Sequence, residues 1–384
     1  MIFDAAVVGG GLLGTATAYH LASAGARAVL VDRADLGRAT DAGAGILSPE
    51  TNSRDPEAWF RLAAAAVEYY PTLVDRLRGE QAGDTGYAQC GKLVVAVSDD
   101  ETAPFEHARR IIFERQRARG RPTAADLHEV TGAEARALFP PLAPVRGAIY
   151  SRRAARVDGR LLNRALRTAA EARGLVVRPG SVERLVIERD AVRGLVVGGE
   201  TVGAGVVAIA GGAWSDAFGQ QLGIAIPVVP QRGQIIHLGL PGTDTSRWPM
   251  VSAFRQHYLV AWGDSRVVAG ATRETGSGFA PHTTSTGVRE VLDEALRVAP
   301  GLAHAEVREI RVGLRPLTPD GLPVLGPVPG IRGIFLVTGH GPTGLTLGAY
   351  SGKLVAEQML DKPAETDLSA FSVARFISAA RRSR

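Results

Sequence analysis

Short apolar runs and helix-period stripes alternate along this chain, and the runs gather at its start, middle and end. Residues 3–8 (FDAAVV) read as a strand, 9–14 (GGGLLG) as a glycine turn and 15–24 as a helix. A second apolar strand, 28–31, ends on Asp32. Residues 56–78 set Trp59, Leu62, Ala66, Tyr69, Leu73 and Leu77 along one helical stripe. A strand over 91–97 and a charged helix over 101–119 follow, then a proline-rich mixed stretch over 120–150. Asp158 caps a helix reaching 173, with Leu161, Leu162, Ala165, Leu166 and Ala169 inward. Residues 175–178, 182–188, 192–197 and 205–210 read as strands, with Arg189-Asp190 suited to a hairpin turn. Residues 226–238 alternate as a strand that Pro230 interrupts. A hairpin of 258–262 and 266–271 turns at Gly263-Asp264, and 288–298 read as a helix. Near the end, the apolar run 334–337 enters Thr338-Gly339-His340-Gly341-Pro342-Thr343-Gly344, and a helix over 345–360 follows.

The opening strand, turn and helix form a dinucleotide-binding unit. Gly9 permits the tight turn, Gly11 lets backbone approach a pyrophosphate, and Gly14 lets helix and strand pack closely. The helix start presents unpaired N–H groups and a positive dipole end to phosphates. Asp32 follows at the spacing of a carboxylate that binds ribose hydroxyls. A second loop, 39–49, is dominated by small residues that let backbone run close to something flat or bulky. Nucleotide-type elements at both ends and in the middle imply a discontinuous cofactor domain with a second domain inserted in two pieces.

Composition narrows the class. Apolar residues make up 45% and charged residues 22%, which suits a globular chain with a sizeable core. Of the 44 basic residues only Lys92, Lys353 and Lys362 are lysines, and the one dense basic cluster is Arg381-Arg382-Ser383-Arg384. No basic stripe with interleaved aromatics points to nucleic acid. Cys90 is the single cysteine, so no intrachain disulfide or CxxC metal site forms, and no metal is expected. No apolar run approaches the ~20 residues of a membrane span. The dinucleotide unit begins at residue 2, so the expectation is a cytoplasmic protein without a signal peptide.

Taken together, several motifs resemble the FAD-dependent D-amino-acid, glycine and sarcosine oxidase family, with glycine oxidase the most similar arrangement. They are the opening glycine unit, Ala44-Gly45-Ile46, Val182 after Pro179-Gly180, and Ala210-Gly211-Gly212-Ala213-Trp214-Ser215. Further along lie Pro230-Gln231-Arg232-Gly233-Gln234 and Gly270-Ala271-Thr272-Arg273-Glu274. Gly313-Leu314-Arg315-Pro316, Asp320-Gly321-Leu322-Pro323 and the loop from Gly339 to Gly344 complete the set. The resemblance implies an α/β fold: a Rossmann-like, discontinuous FAD-binding domain (1–80, 146–225 and 312–384). An inserted α+β substrate domain on an antiparallel sheet (81–145 and 226–311) completes it.

The resemblance also implies FAD, bound without a covalent link, because the family's attachment cysteine lies late in the chain and Cys90 lies early. Gly9, Gly11, Leu12, Leu13 and Gly14 would hold the pyrophosphate, with Asp32 and Arg33 at the adenosine ribose and Val182 at the adenine. Thr40, Ala44, Gly45 and Ile46 would run along the flavin, and Gly211 and Trp214 would complete that wall. His340, Gly341, Pro342, Thr343, Gly344, Leu345 and Thr346 would bring N–H groups to the flavin's pyrimidine end. Arg315 matches the family's carboxylate-binding arginine and Tyr258 its partner tyrosine; either could instead be structural, Arg315 paired to an acid such as Asp320. Gln256 shares a strand face with Tyr258 if the strand extends that far, and would line the substrate pocket together with Ile46.

Pro342 departs from the family: glycine oxidase carries an arginine there, so glycine itself is a less secure substrate. Arg273 is either a solvated arginine or the partner of a second acidic group on a larger substrate. The implied enzyme is an FAD-dependent amino-acid or amine oxidase or dehydrogenase. It would oxidise an amine next to a carboxylate and pass electrons to oxygen or a quinone-type acceptor. Two alternatives stay open: a dedicated biosynthetic oxidase cleaving a larger N-carboxymethyl substrate, and an FAD-binding subunit of a multi-subunit amino-acid or opine dehydrogenase. A homo-oligomer is compatible with the sequence, which does not fix the oligomeric state.

Overall fold

A computed structural model describes residues 2–53, 56–363 and 365–377; the basic cluster at 381–384 lies outside them. Two sheets organise the chain. The first has eight strands, with Ile2–Val8 at its centre between Glu200–Ile209 and Ala28–Asp32, all parallel. Val176–Pro179 extends it beyond Ala28–Asp32, and Ile334–Thr338 pairs in parallel with the end of Glu200–Ile209. The predicted hairpin at Arg189-Asp190 forms, both residues taking positive φ, and joins Val182–Glu188 to Ala191–Val197. Parallel strands buried on both faces need continuous apolar sequence, which explains the unbroken runs.

Four helices cover one face of this sheet. Leu12–Ser23, Glu57–Gly79, Gly159–Glu171 and Gly344–Met359 share one core with Val7, Leu30 and Val337. Within the Glu57–Gly79 helix, Tyr70 is fully buried while Tyr69 is half-buried and meets His20. Asp158 caps its helix as expected, accepting from the N–H groups of Arg160 and Leu161.

The second sheet has nine strands. Val229–Gly239 lies between Glu306–Leu317 and the Arg266–Gly270 strand, followed by Tyr258–Trp262, Met250–Ser252, Lys92–Ala96, Gly147–Ser151 and Leu127–Glu129. It is antiparallel except where Met250–Ser252 meets Lys92–Ala96. Pro230 does not interrupt its strand: it sits at the second position, opposite Pro316, where a missing N–H is tolerated. Gly147–Ser151, grouped above with the cofactor segments, hydrogen-bonds into this sheet instead. So does the long strand Glu306–Leu317, whose last six residues had been grouped with the cofactor domain. Cys90 packs half-buried against the Val260 and Trp262 cluster. Among the described residues no helix is long and apolar enough to cross a membrane.

Two imidazoles, His237 and His340, are buried in the fold, and a third, His20, is half-buried. Burial, with help from neighbouring cations at His20 and His237, lowers His20 and His340 to about 3 and His237 to about 4. Each is neutral when folded, whereas in the unfolded chain it takes a proton below about 6.5. The unfolded state therefore binds more protons between pH 6.5 and 4, and stability falls as pH drops through that window. Denaturation midpoints at pH 7 and pH 5 should differ in that direction; stability that holds or rises on acidification would contradict neutral burial.

Candidate active site

One long cavity runs across the C-terminal ends of the parallel strands, past Val8, Asp32, Ala210 and Thr338. That edge of an open α/β sheet is where ligands bind. Close backbone approach shapes it. Gly9 has φ of 106°, and a Cβ there would lie 2.5 Å from the Ala210 carbonyl oxygen. A Cβ on Gly14 would lie 1.9 Å from the Gly9 carbonyl oxygen, so only glycine lets the first helix seat on its strand. Gly14 itself does not line the cavity; Gly9, Gly11, Leu12 and Leu13 do.

Asp32 and Arg33 line the same end. Asp32 accepts from Arg38 Nη1 at 2.9 Å, and Arg33 pairs with Asp35 at 2.8 Å. Arg38 was not singled out from sequence; its only signal was its place in the polar turn between Asp32 and Asp41, which it also pairs at 3.3 Å. Thr40 lines the cavity and uses its Oγ1 to accept the first helical N–H, from Leu12, at 3.0 Å. Val182 lies at this end, and Ala44, Gly45, Ile46, Gly211 and Trp214 continue the wall. Thr346 Oγ1 donates to the Ile46 carbonyl at 2.9 Å, tying the small-residue loop to the last helix.

His340, Gly341, Pro342, Gly344, Leu345 and Thr346 close the cavity from the C-terminal side. The Gly344–Met359 helix starts here without a side-chain cap, so its first N–H groups carry the positive dipole end. The His340 ring is buried and neutral, with Nε2 3.0 Å from Ser351 Oγ. Thr343 does not line the cavity. Its hydroxyl donates to the His340 carbonyl at 2.9 Å and accepts from Trp59 Nε1 at 3.2 Å, bracing the loop.

At the other end, the second sheet presents Tyr258 and Arg315 on one face. Two glycines make the room. A Cβ on Gly233 would fall 2.3 Å from Arg315 Nη2, and one on Gly270 would fall 2.8 Å from the Tyr258 hydroxyl. Arg315 Nη1 donates to the Thr272 carbonyl at 2.9 Å and to Gln231 Oε1 at 3.4 Å. Among the described residues no carboxylate lies within ion-pair distance of it: Asp320 is held by Arg375 at 2.7 Å. Burial lowers Arg315 from the ordinary arginine value, opposed by Tyr258, while Arg273 adds like-charge repulsion. Burial raises Tyr258, so its phenol stays protonated and can donate.

Gln256 is a correction. The strand begins at Tyr258, and Gln256 sits exposed in the preceding turn with φ of 67°, away from the cavity. Ile46 and Tyr258 both line the cavity and pack against the same apolar cluster.

Glu274, next to Arg273, is committed elsewhere. It accepts from Arg232 at 2.6 and 3.0 Å, and from Gln234 and Thr272 at 2.7 Å each. Burial raises its carboxyl, and these hydrogen bonds outweigh that and hold it below the usual value.

A glycine cradle, a carboxylate at the ribose position and two helix starts facing one cavity define a dinucleotide-dependent oxidoreductase, and these groups fit FAD. The family model "FAD dependent oxidoreductase" matches residues 4–358, and the chain belongs to that family. It is 38% identical to the uncharacterized oxidoreductase YurR of Bacillus subtilis, over 96% of this chain and 98% of that one. Glycine oxidase of Pseudomonas aeruginosa is 33% identical, over 92% and 93%. Among solved structures, iminodiacetate oxidase from Chelativorans sp. BNC1 superposes with a TM-score of 0.91 at 40% identity, covering 96% of this chain and 98% of that one. Glycine oxidase from Geobacillus kaustophilus gives 0.87 at 28%, covering 97% and 98%. The chain is thus an FAD-dependent enzyme of the amine and amino-acid oxidase group.

Removing the charge of Glu274 tests the network. Glu274→Gln leaves Arg232, only 8% exposed, without its counter-ion. Chemical denaturation should show a loss of about 2–4 kcal/mol, the scale for breaking a mostly buried pair. An unchanged midpoint would show that Arg232 finds another partner.

Proposed function

We propose that this enzyme oxidises an amine whose α-carbon carries a carboxylate, with N-carboxymethyl amines as the favoured class. The observation that carries this is Arg315: a guanidinium facing the cavity beside a protonated Tyr258 hydroxyl, with no carboxylate among the described residues within ion-pair distance. Two parallel N–H bonds to a substrate carboxylate supply the missing counter-charge and fix the α-carbon's position. Tyr258 donates the third bond. FAD, bound along the rest of the cavity, supplies the two-electron acceptor for the Cα–H bond. The protein's part is alignment, which lowers the entropic share of the barrier. Hydrolysis of the resulting C=N bond gives an oxo acid and ammonia, or glyoxylate and an amine when the substrate is N-carboxymethylated. Oxygen or a quinone-type compound then reoxidises the enzyme.

Two features favour a substituted amine over glycine. Pro342 leaves the C-terminal loop without a cation, and the 40% identical structure is that of an iminodiacetate oxidase. Anaerobic mixing of purified holoenzyme with glycine, sarcosine, iminodiacetate and D-amino acids tests the reading directly. Flavin bleaching by an N-carboxymethyl amine is expected. No bleaching by any of them would favour instead a flavoprotein subunit without turnover of its own.

Arg315→Ala should raise KM for that amine about 100-fold, the equivalent of about 3 kcal/mol for a bidentate charged contact. Unchanged kinetics would remove Arg315 from the carboxylate site. Gly233→Ala offers a second approach, since its methyl group displaces the guanidinium without touching the charge. KM should rise about tenfold or more while flavin content stays at the wild-type level. A variant with wild-type KM would show that Arg315 works from another position.

A further inference from the structure

The second sheet sends one loop across to the cofactor half of the molecule. Residues 276–283 leave the short edge strand Glu274–Thr275 and return at Thr284, which caps the helix Ser285–Val298. Both feet are fastened to the strand Val229–Gly239. Glu274 accepts from Arg232 and Gln234, and the Thr284 N–H donates to Gln234 Oε1 at 3.0 Å. Between the feet, Arg232 Nη1 donates to the Ala280 carbonyl at 3.2 Å and lies 3.0 Å from His282 Nε2. The span is thus pinned to the substrate half at its start, its middle and its end.

Two of its residues land on the other half. Phe279 stacks on Trp214 with ring centroids 5.5 Å apart and planes 28° from parallel. Trp214 lines the cavity; Phe279 does not, and its ring is 49% exposed. Two residues on, Pro281 seats so closely on Gly37 that a Cβ there would overlap Pro281 Cβ. Gly37 belongs to the turn that carries Asp35 and Arg38 into the cavity wall, and its carbonyl accepts from the Leu314 N–H at 2.8 Å. Trp214 and the Gly37 turn come from distant stretches of the chain, and one loop of the substrate half touches both. A half-exposed phenylalanine gains little from burial. Stacked on a cavity-wall indole, it restricts how that indole can turn.

We propose that residues 276–283 form a clasp for FAD, in which Phe279 positions Trp214 and Pro281 braces the Gly37 turn, so that the substrate half sets how long the cofactor stays bound. Phe279 is a positioning residue: it acts on FAD through Trp214. The inference needs only FAD in the cavity and is independent of the substrate. The clasp ties together walls that must part when FAD leaves, so loosening it speeds release more than it alters uptake. Linkage makes the effect mutual: a clasp that steadies bound FAD is itself steadied by FAD to the same extent.

Release is read by diluting holoenzyme far below its FAD dissociation constant and following the rise in flavin fluorescence. Phe279→Ala should release FAD about tenfold faster than wild type, the scale of one aromatic pair together with the area it covers. Phe279→Tyr keeps the ring and should stay within about twofold of wild type. Pro281→Gly removes the contacting Cβ and should give a smaller increase than Phe279→Ala. Apoprotein of Phe279→Ala should melt at the wild-type temperature, because the stack matters through the cofactor wall. A second measurement needs no variant. Amide hydrogen exchange across 276–283 should be about tenfold slower in wild-type holoenzyme than in wild-type apoprotein.

Release from Phe279→Ala within about twofold of wild type overturns the clasp, and so does equal exchange of 276–283 in the two wild-type forms. Release as fast from Phe279→Tyr as from Phe279→Ala removes the ring from the argument. A lowered melting temperature of Phe279→Ala apoprotein would make Phe279 a general packing residue instead. None of these results bears on Arg315 or on the amine oxidation proposed above, which flavin bleaching tests separately.

Discussion

A guanidinium with no carboxylate beside it among the described residues, as at Arg315, is expensive to keep in a cavity wall, and the substrate end is arranged around that constraint. The acid nearest in sequence to the pocket loop, Glu274, is drawn away by Arg232, Gln234 and Thr272. Asp320, close to Arg315 along the chain, is drawn away by Arg375. Neutral acceptors, the Thr272 carbonyl and Gln231, orient Arg315 without discharging it. Gly233 and Gly270 keep side-chain volume off the sheet face so that Arg315 and Tyr258 lie flat across it. Each element of this set is modest alone, and together they leave one electrostatic demand for a ligand to meet.

The cofactor half is built on the opposite economy, in which backbone rather than side chains makes the surface. Gly9 and Gly14 bring strand, turn and helix within contact of one another, and helix starts supply the polar groups. Such a surface tolerates wide variation in side chains around it. This fits a family in which structures only 28% identical still superpose closely with this chain.

Much of this was legible in the sequence, for reasons that differ by segment. Parallel strands buried on both faces leave continuous apolar runs, so Ile2–Val8, Ala28–Asp32 and Ile334–Thr338 stand out. The Tyr258–Trp262 and Arg266–Gly270 hairpin was readable from its turn. Glu306–Leu317 was not, because charge breaks up its apolar pattern: Glu309, Arg311 and Arg315 serve polar contacts where a core strand would show valine or leucine. The stretch 120–150 hides two short strands and the short helix Gly132–Leu138, each below the length at which a period can be counted. Gln256 failed for a local reason. Strand alternation was extended two residues too far, into a turn that a positive φ breaks. Arg38 carried no motif, and its value to Asp32 shows only in three dimensions.

The strand Glu306–Leu317 serves both halves of the molecule. Along most of its length it is a rung of the second sheet, yet the Leu314 N–H donates to the Gly37 carbonyl at 2.8 Å, beside the adenosine end of the cavity. Seven residues after Leu317 the chain is already in the first sheet, at Val324–Pro327. The two halves are therefore stitched together rather than hung on a linker. A molecule joined in this way does not turn on a single linker, and the cavity is framed by residues of both halves, Gly9 and Asp32 from one and Tyr258 and Arg315 from the other.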